Sequence, residues 1–305
     1  MDIVDRLDPA LRHFADARTD LSPGVLGVVR DSLNQRRADA ARGVDTIGVE
    51  IENRAVGSVP VRIYRGTSSP APAVIYCHSG AFVLGNLDTD HRQCVEFARR
   101  GRCTVISVDY RLAPEHPYPA GLDDAVAVLG GAVSNAAELG IDTARLAVAG
   151  SSAGGALAAR LAQRAATGSA PPVVFQLLHQ PVLDDRATPS KGEFGTTPGF
   201  DGPAARWMWR HYLGEQPVSD DAAPARSTQL SGVPAALITC SELDPLRDEA
   251  IDYASRLLRA GVSTELHVYP GTCHGFDSLL PDWEISEQLF ALQGAALRRA
   301  LHRPS

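Results

Sequence analysis

The sequence predicts a single α/β domain in which a mostly parallel sheet is covered by helices on both faces. Six short, apolar, β-branched segments predict strands; they span residues 72–79, 103–110, 144–150, 173–181, 234–242 and 264–271. Helical patterns lie between most of these segments and end at a glycine, the residue that most often follows a helix. Near-continuous apolar strands separated by helices are typical of a parallel sheet buried on both sides. A chain of 305 residues is long enough to bury such a core.

Two segments that precede the six strands predict an antiparallel pair at one edge of the sheet. Residues 44–53 and 59–66 lie close together along the chain, and apolar side chains alternate along both of them. Alternation with a period of two is typical of a half-buried strand. We therefore expect the two segments to pair with each other beside the parallel strands.

Two other segments do not fit the alternation of strands and helices, and they predict a cap. Residues 1–42 are helical in pattern, whereas residues 184–232 combine polar, proline-containing stretches with one helical segment at 202–214. An unstructured loop of that length is uncommon in a compact domain, so we expect an insertion with its own helix. We predict that about 1–42 and about 184–222 form a cap over the carboxyl edge of the sheet, where open α/β sheets bind ligands.

Composition and charge argue against several classes of function. The net charge is −7, so there is no basic surplus to neutralise phosphates, and affinity for nucleic acid or anionic membranes is not expected. The N-terminus does not resemble a secretory signal, and no apolar run approaches the roughly 18 residues of a transmembrane span. We therefore expect a cytoplasmic protein. The five scattered cysteines lack CxxC spacing, which predicts reduced, mostly buried thiols and no metal site.

A glycine-rich junction at residues 146–160 predicts a nucleophile. Ser152 is the central residue of a G-x-S-x-G pattern, with Gly150 and Gly154 two residues away on either side. This pattern places the serine on a sharp strand-to-helix turn that exposes its hydroxyl, and the flanking residues must be small because they crowd each other. A plain glycine-rich turn is the alternative. The apolar strand before the motif and the long helix after it favour Ser152 as the nucleophile over Ser151.

His274 is the predicted base that activates this serine. A serine hydroxyl is a weak nucleophile until a base accepts its proton, and in hydrolases with this motif the acid and then the histidine follow the serine. Four of the nine histidines precede Ser152; of the other five, His179 and His267 lie in predicted strands, His211 lies in the cap helix and His302 in the tail. His274 follows the last predicted strand. A histidine in an ordinary surface loop is the alternative.

Asp244 is the predicted acid that orients His274. It lies at the end of the strand segment 234–242 and directly precedes Pro245. An Asp before Pro is also a typical helix N-cap with proline in the first helical position, so a purely structural role is the alternative. Asp248, in the first turn of the same predicted helix, remains the second candidate for the acid.

Backbone N–H groups at two places predict an oxyanion hole. The loop at residues 78–81 reads HSGA, where lipases and esterases often carry HGGG. The N–H groups of Gly80 and Ala81 are two candidate donors, and the N–H of Ala153, at the start of the helix after the serine, is the third. His78 is expected to hold the loop by hydrogen bonding rather than to transfer protons.

These residues resemble the bacterial hormone-sensitive-lipase-like esterases of the α/β-hydrolase superfamily over about residues 45–300. The resemblance rests on HSGAFVLGNLDT (78–89), VDYRLAPEHPYPA (108–120), GSSAGG (150–155), SELDPLRDE (241–249) and YPGTCHGF (269–276). Ser79 and Ala81 replace two glycines of the family loop, and Ser151 stands where the family usually has Asp. The resemblance implies an α/β-hydrolase fold, a structural role for the proline-rich 108–120 loop, and no metal or organic cofactor. Because several members form homodimers, a homodimer is also among the expectations.

The sequence therefore predicts a carboxylic-ester hydrolase, and the resemblance implies short- to medium-chain acyl esters as small-molecule substrates. An amidase or deacetylase with the same triad is the alternative reaction, and a binding protein without catalysis is the alternative function, because fold alone does not determine function. Trp207, Trp209 and Tyr212 in the cap segment either line an apolar substrate pocket or pack the cap against the body of the protein.

Overall fold

The structure, a computed structural model, describes residues 2–216 and 218–302 and contains the mostly parallel sheet that the sequence predicts. The strands are β1 Glu50–Val56, β2 Val59–Arg65, β3 Ala71–Cys77, β4 Thr104–Val108, β5 Ile141–Ser151, β6 Phe175–His179, β7 Ala235–Leu243 and β8 Thr264–Cys273. They form one sheet in the order β1-β2-β4-β3-β5-β6-β7-β8. β2 pairs antiparallel with both β1 and β4, and all other neighbours are parallel.

Helices cover both faces of this sheet. They are α1 Ile3–Arg6, α2 Leu26–Arg42, α3 His91–Gly101, α4 Ala120–Ser134, α5 Ala136–Leu139, α6 Ala153–Ala166, α7 Pro189–Glu193, α8 Gly202–Leu213, α9 Arg247–Arg259, α10 Phe276–Leu279 and α11 Glu284–Leu301. Short 3₁₀ helices occupy Pro9–Phe14 and Pro224–Arg226. α3 and α11 pack on one face of the sheet, and α4, α6 and α9 pack on the other. None of the helices in the described part of the chain is long and apolar enough to span a bilayer.

Alternate residues of β3 contribute to two separate apolar cores. All seven residues of this strand are buried. Ile75 and Cys77 belong to the core beneath α4, α6 and α9, whereas Val74 and Tyr76 belong to the core beneath α3 and α11. Successive side chains of a strand point to opposite faces, so burial of both faces requires an apolar residue at nearly every position. This explains the continuous apolar runs in the sequence.

The structure corrects the predicted start of the first strand. A strand was expected over 44–53, but β1 begins only at Glu50 because residues 44–49 form turns, in which Gly48 has a φ of 80°. The two predicted segments do pair antiparallel. Only β1 lies at the edge, however, since β2 also pairs with β4 inside the sheet.

The N-terminal residues and the insertion after β6 contact each other beside the carboxyl ends of the strands. The N–H of Gly199 in the insertion donates to the carbonyl of Ala17 at 2.7 Å, and Nε2 of His211 donates to the carbonyl of Leu21 at 2.8 Å. Residues 2–42 form several helices rather than one continuous helix, and the insertion carries α7 and α8. The insertion therefore has helices of its own, as expected from its length.

The start of α6 approaches the end of β3 so closely that only glycine fits at position 154. A Cβ atom on Gly154 would lie 1.9 Å from the carbonyl oxygen of Cys77, whereas a Cβ on Gly27 inside α2 would have no atom within 4 Å. Overpacking at a site that cannot relax costs at least about 1–3 kcal/mol. Gly to Ala in an open helical position stabilises by about 0.4–1 kcal/mol.

We therefore expect opposite effects from two Gly to Ala substitutions on the free energy of unfolding. Gly154→Ala should lower the free energy of unfolding by at least about 1–3 kcal/mol, and Gly27→Ala should raise it slightly. Urea unfolding followed by circular dichroism measures both values. Equal stabilities for the Gly154→Ala and Gly27→Ala proteins would contradict the close packing of α6 on β3.

Candidate active site

Ser152 lies at the sharp turn between β5 and α6. Its φ of 54° is in the left-handed region, which costs a non-glycine residue of order 1–3 kcal/mol. Two hydrogen bonds hold this conformation: the N–H of Ser152 donates to the carbonyl of His179 at 2.8 Å, and the N–H of Val182 donates to the carbonyl of Ser152 at 3.0 Å. A Cβ on Gly150 would lie 2.1 Å from the carbonyl oxygen of Gly154. The two glycines therefore crowd each other as the motif predicts.

Ser152, His274 and Asp244 form a continuous hydrogen-bonded chain. Nε2 of His274 lies 3.0 Å from Oγ of Ser152, and Nδ1 of His274 lies 2.8 Å from Oδ2 of Asp244. Because a carboxylate accepts hydrogen bonds, the ring proton lies on Nδ1 and Nε2 is left to accept the proton of the serine hydroxyl. Asp244 is fully buried and 11% of the His274 side chain is exposed. The three side chains that the sequence singles out thus meet at one point.

Asp244 also accepts a backbone N–H in the turn before the next helix, but it is not that helix's N-cap, because α9 begins at Arg247 with Leu246 as its N-cap residue. Its Oδ1 accepts the backbone N–H of Leu246 at 2.8 Å, while Oδ2 accepts from His274. Asp248, the second candidate for the acid, has different partners. Its carboxylate accepts the backbone N–H of Ser190 at 2.8 Å and the Nε–H of Arg247 at 2.8 Å, and so attaches α7 of the insertion to the start of α9.

The surroundings of His274 shift its pKa in two opposing directions. Burial disfavours the charged imidazolium and lowers the pKa, whereas the negative charge of Asp244 and the hydrogen bond to it raise the pKa. The charges of Asp277 and Glu249 add to the effect of Asp244, and together they outweigh burial, so the pKa of His274 lies above its ordinary value of 6.5. The imidazole is therefore a stronger base than an isolated histidine, and the imidazolium formed by proton transfer is stabilised.

Two polar residues at the end of β6 hold the loop that carries His274. Neither role was predicted from the sequence. Oε1 of Gln180 accepts the backbone N–H of Gly275 at 2.7 Å, and Nε2 of Gln180 donates to Oγ of Ser241 at 2.7 Å. Nε2 of His179 donates to Asp277 at 3.1 Å. The contacts of Gln180 with Ser241 and of His179 with Asp277 are buried and that with Gly275 is partly buried, and together they fix the backbone on the C-terminal side of His274. The signal in the sequence was two polar residues, His179 and Gln180, near the end of the otherwise apolar segment 173–181.

The loop after β3 presents its backbone N–H groups in an unusual conformation. Gly80, Ala81 and Phe82 all have positive φ values, of 132°, 55° and 61°. Within the described residues, the N–H groups of Gly80 and Ala81 donate no hydrogen bond. Ala153 is the first residue of α6, where an N–H has no acceptor within its own helix. The three predicted oxyanion donors are thus available for a bound oxygen.

The proline-rich segment 108–120 holds this loop by hydrogen bonds and ring stacking. The Tyr110 hydroxyl donates to the carbonyl of His78 at 2.8 Å, its ring stacks on the His78 imidazole with centroids 4.2 Å apart, and the N–H of Ala113 donates to the carbonyl of Phe82 at 2.9 Å. Burial is the main cause that lowers the pKa of His78 to about 4. His78 is therefore neutral, and its Nδ1–H donates to the carbonyl of Ser79 at 2.7 Å.

Ser79, which replaces a glycine of the family loop, is bound by one carboxylate. Oδ2 of Asp90 accepts the backbone N–H of Ser79 at 2.7 Å, and Oδ1 accepts its hydroxyl at 2.9 Å. The Tyr76 hydroxyl donates to the same carboxylate at 2.8 Å. Asp90 therefore fixes the residue that directly precedes Gly80, a contact that the motif comparison did not suggest.

A cavity of about 930 Å³ opens beside Ser152 and His274. Its walls come from the loop at 79–81, from Gly199 and Phe200 of the insertion, and from α2, α3 and the region of α10 and α11. This volume lies near the upper end of the range for small-molecule sites. The cavity therefore has room for a substrate considerably larger than a short acyl ester.

The aromatic residues of α8 do not line this cavity. Trp209 and Tyr212 are buried in the core, and Tyr212 stacks on Phe82 with ring centroids 3.8 Å apart. Trp207 packs under the guanidinium of Arg210 at 4.9 Å. Of the two interpretations that the sequence left open, the structure supports packing of the cap segment against the body of the protein.

Comparison with known proteins supports an α/β-hydrolase fold and esterase relatives. A family model described as the alpha/beta hydrolase fold matches residues 74–278. The chain is 38% identical over 281 residues to esterase LipI of Mycobacterium tuberculosis, covering 88% of each chain. It is 41% identical over 268 residues to carboxylesterase NlhH of the same organism, covering 83% of this chain and 84% of NlhH.

A solved structure shares nearly the whole architecture. The crystal structure of esterase LipW from Mycobacterium marinum superimposes with a TM-score of 0.96 and 61% sequence identity, covering 98% of each chain. These relatives are named as esterases, which favours the ester hydrolase over an amidase or a binding protein. With the eight-stranded sheet and the matched family model, the similarities show that the chain belongs to the hormone-sensitive-lipase-like carboxylesterases of the α/β-hydrolase family.

Proposed function

We propose that this serine carboxylesterase uses Ser152 as nucleophile, His274 as general base and acid, and Asp244 as the residue that orients the imidazole. The observation that carries the proposal is the hydrogen-bonded chain from Ser152 Oγ to His274 Nε2 at 3.0 Å and from His274 Nδ1 to Asp244 Oδ2 at 2.8 Å. Both distances allow direct proton transfer and orientation without movement of the backbone.

In the acylation half-reaction, Ser152 Oγ attacks the acyl carbon while its proton moves to Nε2 of His274. The carbonyl oxygen becomes an oxyanion that accepts hydrogen bonds from the N–H groups of Gly80, Ala81 and Ala153. Collapse of the tetrahedral intermediate breaks the bond to the alcohol oxygen, which takes the proton from His274. The products of this half-reaction are the free alcohol and an acyl ester on Ser152.

In the deacylation half-reaction, water replaces the alcohol. His274 removes a proton from the water while its oxygen attacks the acyl carbon, and the same three N–H groups bind the second oxyanion. Collapse returns the proton to Ser152 Oγ and releases the carboxylic acid. No metal or organic cofactor takes part in these steps.

The substrates proposed for this site are short- to medium-chain acyl esters. The cavity of about 930 Å³ beside Ser152 accommodates both the acyl and the alcohol part of such esters. We also propose that about 1–42 and about 184–222 act as a cap within one domain, since Leu33 and Phe200 from these segments line the cavity. The cytoplasmic location and the homodimer expected from sequence remain predictions.

Replacement of Ser152 by Ala tests the nucleophile. The variant lacks the attacking oxygen, so kcat for 4-nitrophenyl butyrate should fall by roughly 10⁴- to 10⁶-fold, and labelling by a fluorophosphonate probe should disappear. Ser151→Ala is the matched control and should retain labelling, because Ser151 is the last residue of β5 and the hydrogen bond of His274 Nε2 goes to Ser152. Labelling of the Ser152→Ala protein would contradict the proposal.

The pH dependence of kcat/KM tests His274 and Asp244 together. His274 must be neutral to accept a proton, and its pKa is raised above 6.5, so activity should fall on acidification with an apparent pKa above that value. Asp244→Asn removes the charge that raises the pKa; the acidic limb should then move to lower pH, and kcat should drop by about 10⁴-fold because the wrong tautomer is favoured.

Asp248→Asn is the matched control for this test. Asp248 bonds Ser190 and Arg247 rather than His274, so its replacement should leave the pH profile in place. An unchanged profile in the Asp244→Asn enzyme, or a shifted profile in the Asp248→Asn enzyme, would contradict the assignment of the acid.

Substitutions at Ser79 and Asp90 test whether Asp90 holds the loop that carries the N–H groups of Gly80 and Ala81 in position. Ser79→Ala removes one of the three bonds to Asp90, and Asp90→Ala removes all three. Misplaced N–H donors weaken transition-state binding more than substrate binding. We expect kcat to fall less than about tenfold for Ser79→Ala and about 10- to 10³-fold for Asp90→Ala, with KM nearly unchanged. Steady-state kinetics with 4-nitrophenyl butyrate measures both, and an increase in KM alone would contradict this role.

A further inference from the structure

The wall of the cavity beside Ser152 contains both basic and acidic residues. The basic ones are Arg36, Arg37, Arg92, Arg99 and Arg100, and the acidic ones are Asp45, Asp88, Asp90, Glu96, Asp277, Asp282 and Glu287. Hydrolysis of a neutral ester does not require any of the five arginines, since none takes part in the triad or the oxyanion loop. Their charges therefore need a separate explanation.

Three of the five arginines are neutralised by carboxylates of the protein. The ion pairs are Arg92–Asp282 at 2.6 Å, Arg92–Glu287 at 2.8 Å, Arg99–Glu96 at 3.1 Å, Arg100–Glu287 at 3.3 Å and Arg100–Glu96. These groups connect α3 to the residues around α11. They are structural ion pairs at one end of the cavity.

Arg37 and Arg36 on α2 have no such partner. Among residues 2–216 and 218–302, neither guanidinium forms an ion pair, and Nη1 of Arg37 is buried without a hydrogen-bond acceptor. Burial lowers the pKa of Arg37, and the negative charge of Asp90 partly offsets this effect. Both Asp90 oxygens, however, already accept hydrogen bonds from Ser79, and one also accepts from Tyr76.

The side chain of Arg36 is exposed, whereas that of Arg37 is partly buried and its Nη1 is removed from solvent. Removing a charged group from water costs several kcal/mol unless an opposite charge replaces the lost hydration. Water molecules supply hydrogen bonds to a guanidinium but no compensating charge. A carboxylate or phosphate supplies both, because its two oxygens match the paired N–H groups of arginine. The environment of Arg37 thus favours an anion.

Arg37 is also near enough to the reacting centre for a single small molecule to reach both. Its charge contributes to the lowered pKa of His78, which directly precedes the oxyanion loop, and it lines the same cavity as Ser152. A cavity of about 930 Å³ holds an acyl or alcohol group of several carbons between the two points.

We propose that the preferred substrates are esters that carry a carboxylate or phosphate group remote from the scissile bond, bound by Arg37 with Arg36 beside it. This inference rests on the proposed esterase function and names the substrate class within it. The anion forms a bidentate ion pair with a guanidinium, and the ester carbonyl lies in the oxyanion hole. The chain length between the two groups then determines how well the acyl carbon meets Ser152.

Two matched pairs of esters test this preference. The first pair is 4-nitrophenyl hydrogen adipate, with an anionic acyl chain, and its neutral methyl ester; the second is 4-carboxyphenyl butyrate and neutral 4-carbamoylphenyl butyrate. We expect kcat/KM to be about 10- to 100-fold higher for the anionic member of at least one pair, mainly through KM, as for a charge-assisted hydrogen-bonded pair. Equal values in both pairs would overturn the inference.

Substitutions at Arg37 connect that preference to one side chain. Arg37→Met should abolish the preference, so that kcat/KM for each anionic ester falls to that of its neutral partner in the same variant, and Arg37→Lys should retain part of the preference. The matched control is Arg298→Met on α11, an exposed arginine outside the cavity, which should change neither value. Because Arg37→Met removes a partly buried charge that forms no ion pair among the described residues, the variant should melt no earlier than the parent protein.

A binding measurement separates failure of this inference from failure of the proposed function. Titration of the Ser152→Ala protein with 4-nitrophenyl hydrogen adipate and with its methyl ester, followed by calorimetry, does not depend on turnover. Tighter binding of the anionic ester that is lost in the Ser152→Ala/Arg37→Met protein supports the inference even if hydrolysis is not observed. Equal binding of both esters overturns it, whereas hydrolysis of the neutral esters alone leaves the esterase function intact.

Discussion

The buried carboxylate of Asp244 is the constraint on which the site depends. One of its oxygens accepts the N–H of Leu246 at the start of α9, and the other accepts Nδ1–H of His274. An ionised carboxylate in the interior is tolerated only when hydrogen bonds or charges satisfy it. The helix start therefore supplies part of what the carboxylate requires, and the imidazole supplies the rest. The same contacts that make the charge tolerable also fix the tautomer of His274, so stability and chemistry depend on one group.

The loop of His274, which follows β8, is held by residues at the end of β6, two strands away in the sheet. Gln180 and His179 at the end of β6 bind Gly275 and Asp277, on the C-terminal side of His274. β6 also holds Ser152, since the carbonyl of His179 accepts the N–H of Ser152. The proposed nucleophile and base are thus both held by residues at the end of β6. Elements held by buried hydrogen bonds have discrete positions, which explains how a 3.0 Å contact is maintained between residues 122 apart in sequence.

Local patterns predicted the sheet, the order of its strands along the chain and the positions of Ser152 and His274, because each depends on short-range rules. Apolar runs report burial on both faces, and the glycines around Ser152 report a close approach that side chains would block. The contacts of Gln180 and Asp90 were not predictable, since nothing in their own neighbourhoods indicates which distant backbone groups they bind. The start of β1 was misplaced because alternation continues through the turn at Gly48, and only tertiary pairing decides where a strand begins.

The unusual backbone conformation of residues 80–82 is stabilised by aromatic residues of α8. Ala81 and Phe82 both have positive φ values, which for residues with side chains cost of order 1–3 kcal/mol each. That cost must be offset by contacts that exist only in this conformation. Phe82 provides them, because its ring stacks on Tyr212 at 3.8 Å and lies 6.2 Å from that of Trp209. The insertion helix α8 therefore stabilises the strained loop through Phe82, whereas α2 lines the cavity that Ser152 also lines, with two arginines that form no ion pair among the described residues.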